Sequence, residues 1–123
     1  MKALSLTLFA ALATITSSAY AQISNPTVST AKVAYTCQSG KKVTVTYGFN
    51  KQNLPTYAVA IIQGKKRTMP INLDRSDNVG TYFGSEKNYR LSTDYMDKKN
   101  YRKLSILVTS PKDELVFKNC TPR

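Results

Sequence analysis

Alternation of apolar and polar residues is the feature that most restricts what this chain can fold into. Between residues 41 and 49, apolar side chains occupy every second position, with threonine or another small or polar residue between them. The apolar positions are Val43, Val45, Tyr47 and Phe49. A period of two places these side chains on one face of a β-strand. This segment therefore predicts a strand with one buried face.

Seven further segments have the composition of β-strands, most of them with the same alternation, so that eight strands are predicted in all. They span residues 32–37, 41–49, 56–63, 65–73, 79–83, 88–91, 103–110 and 115–120. We predict an all-β fold, a small eight-stranded antiparallel β-barrel, because closure leaves no unpaired strand edge. An open sandwich is the alternative. Residues 57–62 are all apolar, which predicts a third strand that is central or buried on both faces. Only residues 92–103 show a weak helical pattern.

The first 21 residues have the pattern of a secretory signal peptide. Lys2 precedes an apolar run that ends in the small-residue pattern Ala19-x-Ala21, which predicts cleavage after Ala21. A retained membrane anchor is the alternative, but the run is short for a bilayer span, and no second one follows it. We expect an exported mature chain without a transmembrane segment, in the periplasm, at the outer-membrane surface or secreted. Residues 22–31 are predicted to be a flexible leader, and residues 32–123 the folded domain.

Two cysteines, Cys37 and Cys120, both follow the predicted cleavage site. An even number of cysteines in an oxidising compartment predicts a disulfide, here joining the first strand to the last. Two free thiols or a metal site are the alternatives. Because the chain has no histidine and no third cysteine, a metal site would lack ligands. We therefore expect a disulfide-closed barrel with no metal and no cofactor.

Charge and residue inventory point to a binding protein. Without Lys2, the chain has 17 Lys and Arg against 7 Asp and Glu, a net charge of about +10. Such a surface attracts host cell surfaces or anionic glycans, whereas an exported protein rarely meets nucleic acid. The alternative is that the lysines lie on the outer faces of the strands and only keep the protein soluble, which would explain most of them.

Catalysis is disfavoured by the same inventory. The chain lacks histidine, the commonest general base, and tryptophan, which often stacks on sugars. The carboxylate pairs Asp74/Asp77 and Asp94/Asp97 have the residue type of a glycosidase, but aspartate is far commoner as a turn former. We therefore predict that the protein is not an enzyme. Four tyrosines interleaved with Lys and Arg have the composition of a binding surface; they are Tyr82, Tyr89, Tyr95 and Tyr101.

Three stretches carry a resemblance to a known family. They are NPTVSTAKVAYTCQSGKKVTVTYGFNKQ at residues 25–52, MPINLDRSDNV at residues 69–79 and LVFKNCTPR at residues 115–123. They are similar to the adhesin complex proteins of neisserial and related bacteria. The first cysteine strand and the late cysteine also resemble the wider family of periplasmic and membrane-bound inhibitors of C-type lysozyme.

This resemblance implies an eight-stranded barrel that binds host C-type lysozyme and also helps adhesion at the bacterial surface. In the wider family a loop with a Ser-Gly, a Tyr and a later cation enters the lysozyme cleft. Here Asn78 and Val79 stand where the family has Ser-Gly. The implied lysozyme-binding residues are Ser76, Asp77, Asn78, Tyr82, Tyr89 and Arg90, with Lys98, Lys99 and Arg102 of a second basic loop. The alternative function is an adhesin or anionic-glycan-binding module without lysozyme inhibition.

Charge sets one further expectation for that interface. C-type lysozymes are typically basic, so a net charge of about +10 opposes encounter. The repulsion is reduced if the acids Asp74, Asp77, Asp94 and Asp97 lie together at the contacting end. We therefore expect that end to be of mixed or acidic charge, with the lysine-rich strands facing away.

Overall fold

The structure, a computed structural model, describes residues 26–123. The predicted signal peptide and residues 22–25 of the predicted leader lie outside the described residues. The strands are β1 (Ser29–Thr36), β2 (Lys42–Phe49), β3 (Pro55–Ile62), β4 (Lys65–Pro70), β5 (Gly80–Phe83), β6 (Arg90–Asp94), β7 (Ile106–Thr109) and β8 (Leu115–Pro122). Two short 3₁₀ turns lie at Gln38–Gly40 and Tyr101–Lys103.

The eight strands form one antiparallel sheet that curls into a nearly closed barrel. Their order is β4-β3-β2-β1-β8-β7-β6-β5, and the two edges meet where Ile71 bridges Phe83. The Asn72 N–H donates to the Tyr82 carbonyl oxygen at 2.7 Å, and the Gly84 N–H donates to the Pro70 carbonyl oxygen at 2.7 Å. We call this junction of residues 70–72 with residues 82–84 the closing seam. The predicted antiparallel barrel is confirmed, and the open sandwich is excluded.

Alternate residues of the strands fill the interior, as the period of two predicts. Val43, Val45, Tyr47 and Phe49 are all buried. The hydroxyls of Tyr35 and Tyr47 form a hydrogen bond of 2.7 Å inside the barrel. Burial raises the pKa of Tyr35 to about 12, and burial also raises the pKa of Tyr47 above its usual value, because a buried phenolate would lose its hydration.

The predicted disulfide is confirmed. Cys37 follows β1 and Cys120 lies in β8, and the bond joins residues 83 positions apart in sequence. The ladder between β1 and β8 is short, with only the pairs Tyr35–Pro122 and Thr36–Thr121. The disulfide therefore supports the barrel wall at a short strand pairing.

Three details differ from the sequence-based expectations. β1 begins at Ser29, so residues 29–31 pair with β2 and do not belong to the predicted leader. β3 is not buried on both faces: Ala58, Ala60 and Ile62 point inward, whereas Ile61 is exposed. The weak helical pattern at residues 92–103 corresponds to the end of β6, a turn and the 3₁₀ turn Tyr101–Lys103. The buried residues of segment 92–103 fill one end of the barrel, which explains the helix-like spacing of the apolar positions in this segment.

Candidate functional site

Three connections lie together at one end of the barrel, and they contain most of the predicted site residues. Because consecutive strands run antiparallel, alternate connections fall at the same end. At this end they are residues 50–54, 71–79 and 95–105. The Tyr95 N–H donates to the Val79 carbonyl oxygen at 3.0 Å, and the Lys98 N–H donates to the Asn53 carbonyl oxygen at 2.9 Å. These bonds join the three loops into one surface, which we call the three-loop end.

Ser76 holds its loop against β5. Its hydroxyl accepts a hydrogen bond from the Tyr82 N–H at 3.0 Å and donates to the Tyr82 carbonyl oxygen at 3.3 Å. Asn72 anchors the start of the same loop, since its side-chain amide donates to the Gly84 carbonyl oxygen at 3.0 Å. The backbone carbonyl oxygen of Asn72 also accepts a hydrogen bond from the Ser76 N–H at 3.0 Å. The loop is therefore ordered by its own contacts, and Asn72 is a residue that sequence reasoning missed, although asparagine is a common turn anchor.

Asp77 shapes the tip of the loop. Its Oδ1 accepts hydrogen bonds from the N–H groups of Val79 at 2.8 Å and Gly80 at 2.9 Å. These two bonds lower the pKa of the Asp77 carboxyl, because they stabilise the charged form. The turn projects Asn78 and Val79 outward, and the Val79 side chain is 79% exposed. Asn78 and Val79 are thus exposed at the tip of an ordered turn.

The second basic loop is built in the same way around Asp97. The Asp97 carboxylate accepts from the N–H groups of Lys99 at 2.8 Å and Asn100 at 3.0 Å. The Lys98 ammonium donates to the Ser29 hydroxyl at 3.0 Å. Lys99 and Arg102 are exposed. This loop therefore presents two accessible cations beside the tip of the first loop.

Arg90 and Tyr89 lie at the opposite end of β5 and β6. The Arg90 guanidinium donates to the Asp113 carboxylate at 2.5 Å and to the Ser110 carbonyl oxygen at 3.0 Å. The Tyr89 hydroxyl donates to the Gln63 side-chain oxygen. These contacts tie the β5–β6 connection to the β7–β8 and β3–β4 connections. Among the described residues no hydrogen bond joins either residue to Ser76, Asp77 or Asn78, although Arg90 lines a small cavity with Asn72 and Arg75 of that loop.

The four tyrosines do not form one exposed surface. Tyr89 is only 9% exposed and Tyr101 only 8%, so the interpretation of these two as surface residues is wrong. Both rings pack into the ends of the barrel, where short strands leave space that an aromatic ring fills. Tyr82 is half-buried, and the Arg75 guanidinium lies 5.0 Å from the centre of its ring. Sequence spacing alone could not separate these environments.

A small cavity lies beside the closing seam. Its volume is about 30 Å³, room for roughly one or two water molecules. Asn72, Arg75, Tyr82, Phe83, Gly84, Glu86 and Arg90 line it. The cavity is too small for a sugar ring, so the exposed loop tips are the better candidate for binding a large partner.

Charge at the three-loop end is mixed. Four of the seven acidic residues lie there: Asp74, Asp77, Asp94 and Asp97. The same loops carry six cations: Lys51, Arg75, Lys98, Lys99, Arg102 and Lys103. The arrangement has the mixed charge expected of an end that meets a basic enzyme.

Residues 26–123 contain no metal-binding cluster and no membrane-spanning helix. In that range no three Cys, Asp or Glu side chains lie together in a way that would hold a metal ion. No helix there is long and apolar enough to cross a bilayer.

Comparison with known proteins gives a family and two similar structures. The family model of the ACP-like domain matches residues 31–122. The solved structure of an adhesin complex protein from Neisseria meningitidis has 55% sequence identity and a TM-score of 0.73, covering 76% of this chain and 100% of that chain. A periplasmic inhibitor of C-type lysozyme from Salmonella typhimurium has 18% identity and a TM-score of 0.55, covering 77% and 99%; at that identity the likeness concerns the fold alone. No curated relative was found by sequence similarity.

Proposed function

Because the chain belongs to the ACP-like domain family, we propose that it is an exported bacterial inhibitor of host C-type lysozyme that inserts residues 71–79 into the enzyme's catalytic cleft. A second role as an adhesin at the bacterial surface follows the name of the similar protein from Neisseria meningitidis. The inhibitor from Salmonella typhimurium, which has the same fold, supports the first role. Adhesins and inhibitors are both non-enzymatic kinds of protein.

The observation that carries the proposal is the pair of hydrogen bonds between Ser76 and Tyr82. A loop that enters a narrow cleft loses conformational freedom, at a cost of about 0.5–1.5 kcal/mol for each side chain that becomes ordered. Here the loop is ordered by Ser76, Asp77 and Asn72 within the free protein. Much of that cost therefore falls on folding rather than on binding, which favours a tight complex.

Residues of the three-loop end take different parts in the proposed complex. Asn78 and Val79 enter the cleft first, since they form the exposed tip. The lysozyme cleft holds two carboxyl groups, one protonated and one ionised. The Asn78 amide is a neutral donor to either, and Arg102 is a cation for the ionised one, where a charge-assisted hydrogen bond is roughly twice as strong as a neutral one.

Other predicted residues act at a distance from the cleft. Ser76 and Asp77 are positioning residues, because their polar atoms are engaged with the backbone of Tyr82, Val79 and Gly80. Lys98 and Lys99 flank the tip in the neighbouring loop. Tyr82 supports the loop through its backbone, whereas Tyr89 and Arg90 tie the β5–β6 connection to neighbouring connections through Gln63 and Asp113.

Inhibition of lysozyme tests the proposal. The chain from Gln22 onward is mixed with human lysozyme, and the lysis of bacterial cell walls is followed. We expect inhibition at a small molar excess, and we expect Asn78→Ala and Arg102→Ala each to weaken it roughly 5- to 150-fold, the range of a lost interfacial contact of about 1–3 kcal/mol. Lys112→Ala, in the β7–β8 connection, is the matched control and should inhibit normally.

Absence of inhibition by the unchanged chain would favour the alternative, an adhesin or anionic-glycan-binding module. The adhesin role has its own test. Bacteria that lack the protein should attach less to host cells, and the Asn78→Ala variant reports whether attachment requires the lysozyme-binding tip. Unchanged attachment in the strain that lacks the protein would remove the adhesin role.

A further inference from the structure

The outer face of β1–β4 is cationic and has no acidic residue. Residues 26–73 contain seven Lys and Arg and no Asp or Glu, whereas residues 74–123 contain ten cations and seven acids. Strands β1–β4 are also neighbours in the sheet, in the order β4-β3-β2-β1. Alternation turns Lys32, Lys42 and Lys66 outward, and all three are exposed. We call the outer face of these four strands the acid-free wall.

An exposed apolar side chain lies within this cationic surface. Ile61 is 61% exposed, and it lies directly opposite Lys66 in the register of β3 and β4. Thr68, on the same face of β4, is exposed as well. The wall therefore combines the ammonium groups of flexible lysine side chains with one exposed apolar side chain, that of Ile61.

No internal contact explains the three lysines. Within residues 26–123 the single ion pair joins Arg90 to Asp113, and neither residue belongs to β1–β4. Across the same residues, the ammonium groups of Lys32, Lys42 and Lys66 take part in no hydrogen bond or ion pair. Their mutual repulsion is therefore relieved only by solvent ions or by an external anion.

We propose that the acid-free wall docks on the phosphate-bearing headgroups of an anionic lipid surface. Four adjacent strands span roughly 14 Å between the outer two, at about 4.8 Å per strand, which gives a broad face rather than a groove. Lysine stems lie along such an interface while the ammonium groups reach the phosphates. Ile61 enters the boundary between headgroups and acyl chains, as apolar side chains of peripheral proteins do.

A polysaccharide or single-stranded nucleic acid fits the wall less well. Proteins that bind such chains usually hold them in grooves with exposed aromatic rings. The outward aromatic residue of β3 is Tyr57, whose ring lies against Gly48 and is half-buried. The wall therefore offers charge and an aliphatic side chain, but no free stacking platform.

Docking through the wall leaves the three-loop end accessible. The wall is the side of the barrel, whereas residues 71–79 and 95–105 lie at one end of it. The inference thus goes beyond lysozyme inhibition and does not depend on it. A chain held on a bacterial membrane in this way still presents its loop tips to a soluble enzyme.

Vesicle binding by charge-matched variants tests this proposal. The chain from Gln22 onward is sedimented with vesicles of phosphatidylcholine, with or without phosphatidylglycerol. The wall variant replaces Lys32, Lys42 and Lys66 with glutamine. The control variant makes the same change at three exposed lysines of the other half of the chain: Lys103, Lys112 and Lys118.

We expect binding only to vesicles that contain phosphatidylglycerol, and weaker binding as salt increases. Each lysine near an anionic surface contributes roughly fivefold in binding, so the wall variant should bind at least tenfold more weakly than the control variant. Ile61→Thr keeps a β-branched residue in the strand and should reduce the binding that remains at high salt. Leu115→Thr, a change at an exposed leucine of β8, should not.

Three results would overturn the proposal. Equal losses in the two triple variants would show that net charge alone drives binding. Equal binding to both kinds of vesicle would show no preference for anionic headgroups. Heparin binding is measured on the same variants. If the wall variant loses heparin binding but keeps vesicle binding, the wall binds polysaccharide and not lipid. Circular dichroism of each variant verifies that the barrel is intact.

Discussion

Replacement of Ser76 by alanine tests the ordered loop directly. The change removes the two hydrogen bonds of 3.0 and 3.3 Å between the Ser76 hydroxyl and the Tyr82 backbone. A hydrogen bond contributes about 0.5–1.5 kcal/mol net, and the longer bond falls at the low end. We therefore expect the free energy of opening residues 71–79 to fall by about 1–2 kcal/mol.

Native-state hydrogen exchange measures this opening at the Tyr82 amide, whose N–H donates to Ser76. A decrease of about 1–2 kcal/mol corresponds to exchange that is roughly 5- to 30-fold faster. Ser85→Ala is the matched control, since its hydroxyl contacts the Asn88 amide at the opposite end. It should leave exchange at Tyr82 unchanged.

The same variant separates positioning from direct contact. Disorder weakens inhibition only as far as it lowers the population of the binding-competent loop, so Ser76→Ala should weaken inhibition by no more than the change in exchange. Unchanged exchange at Tyr82 would refute the role of Ser76 in ordering the loop. A loss of inhibition much larger than the exchange effect would instead mean that the Ser76 hydroxyl contacts lysozyme.

Three further outcomes follow from the barrel itself. Replacing both cysteines with alanine should lower the free energy of unfolding by about 4.5 kcal/mol in urea titrations, the value that loop entropy gives for a closure of 83 residues. Gly84→Ala should destabilise the barrel by roughly 2–4 kcal/mol, because φ is +89° and an added Cβ meets a backbone carbonyl; Gly64→Ala, with φ +80° and open space, should cost only about 1 kcal/mol. The free energy of unfolding should fall as pH rises above 10, by up to about 1.4 kcal/mol per pH unit for each of Tyr35 and Tyr47. Burial raises the pKa of both hydroxyls in the folded state, so the unfolded state loses these protons at lower pH. The slope should be shallower in Tyr47→Phe.

Local patterns predicted the strands well because strand alternation is a local property. The alternation at residues 41–49 identified β2 and its inward residues. Residues 57–62 carry no such alternation, so nothing local indicated which face of β3 would be buried. Ile61 is exposed because no layer covers the outside of a small barrel, which is a consequence of the tertiary fold.

The candidate site was predicted in part for a similar reason. The sequence identified the loop that contains Ser76, Asp77 and Asn78 by its resemblance to a family. The same resemblance also grouped Arg90 with them, as the later cation of the family's loop. In the barrel, Arg90 begins β6 and lines a small cavity with Asn72 and Arg75 of that loop, but Asp113 engages its guanidinium.

The sequence by itself determined the strand content, the pairing of two cysteines and an excess of positive charge, because composition and short-range periodicity suffice for each. Only the tertiary structure decided which polar groups are free. Antiparallel connection brings residues 71–79 and 95–105 together and gathers four acids at that end. It leaves four acid-free strands side by side, and it engages the Ser76 hydroxyl with Tyr82. These outcomes depend on contacts between distant segments, which no local pattern contains.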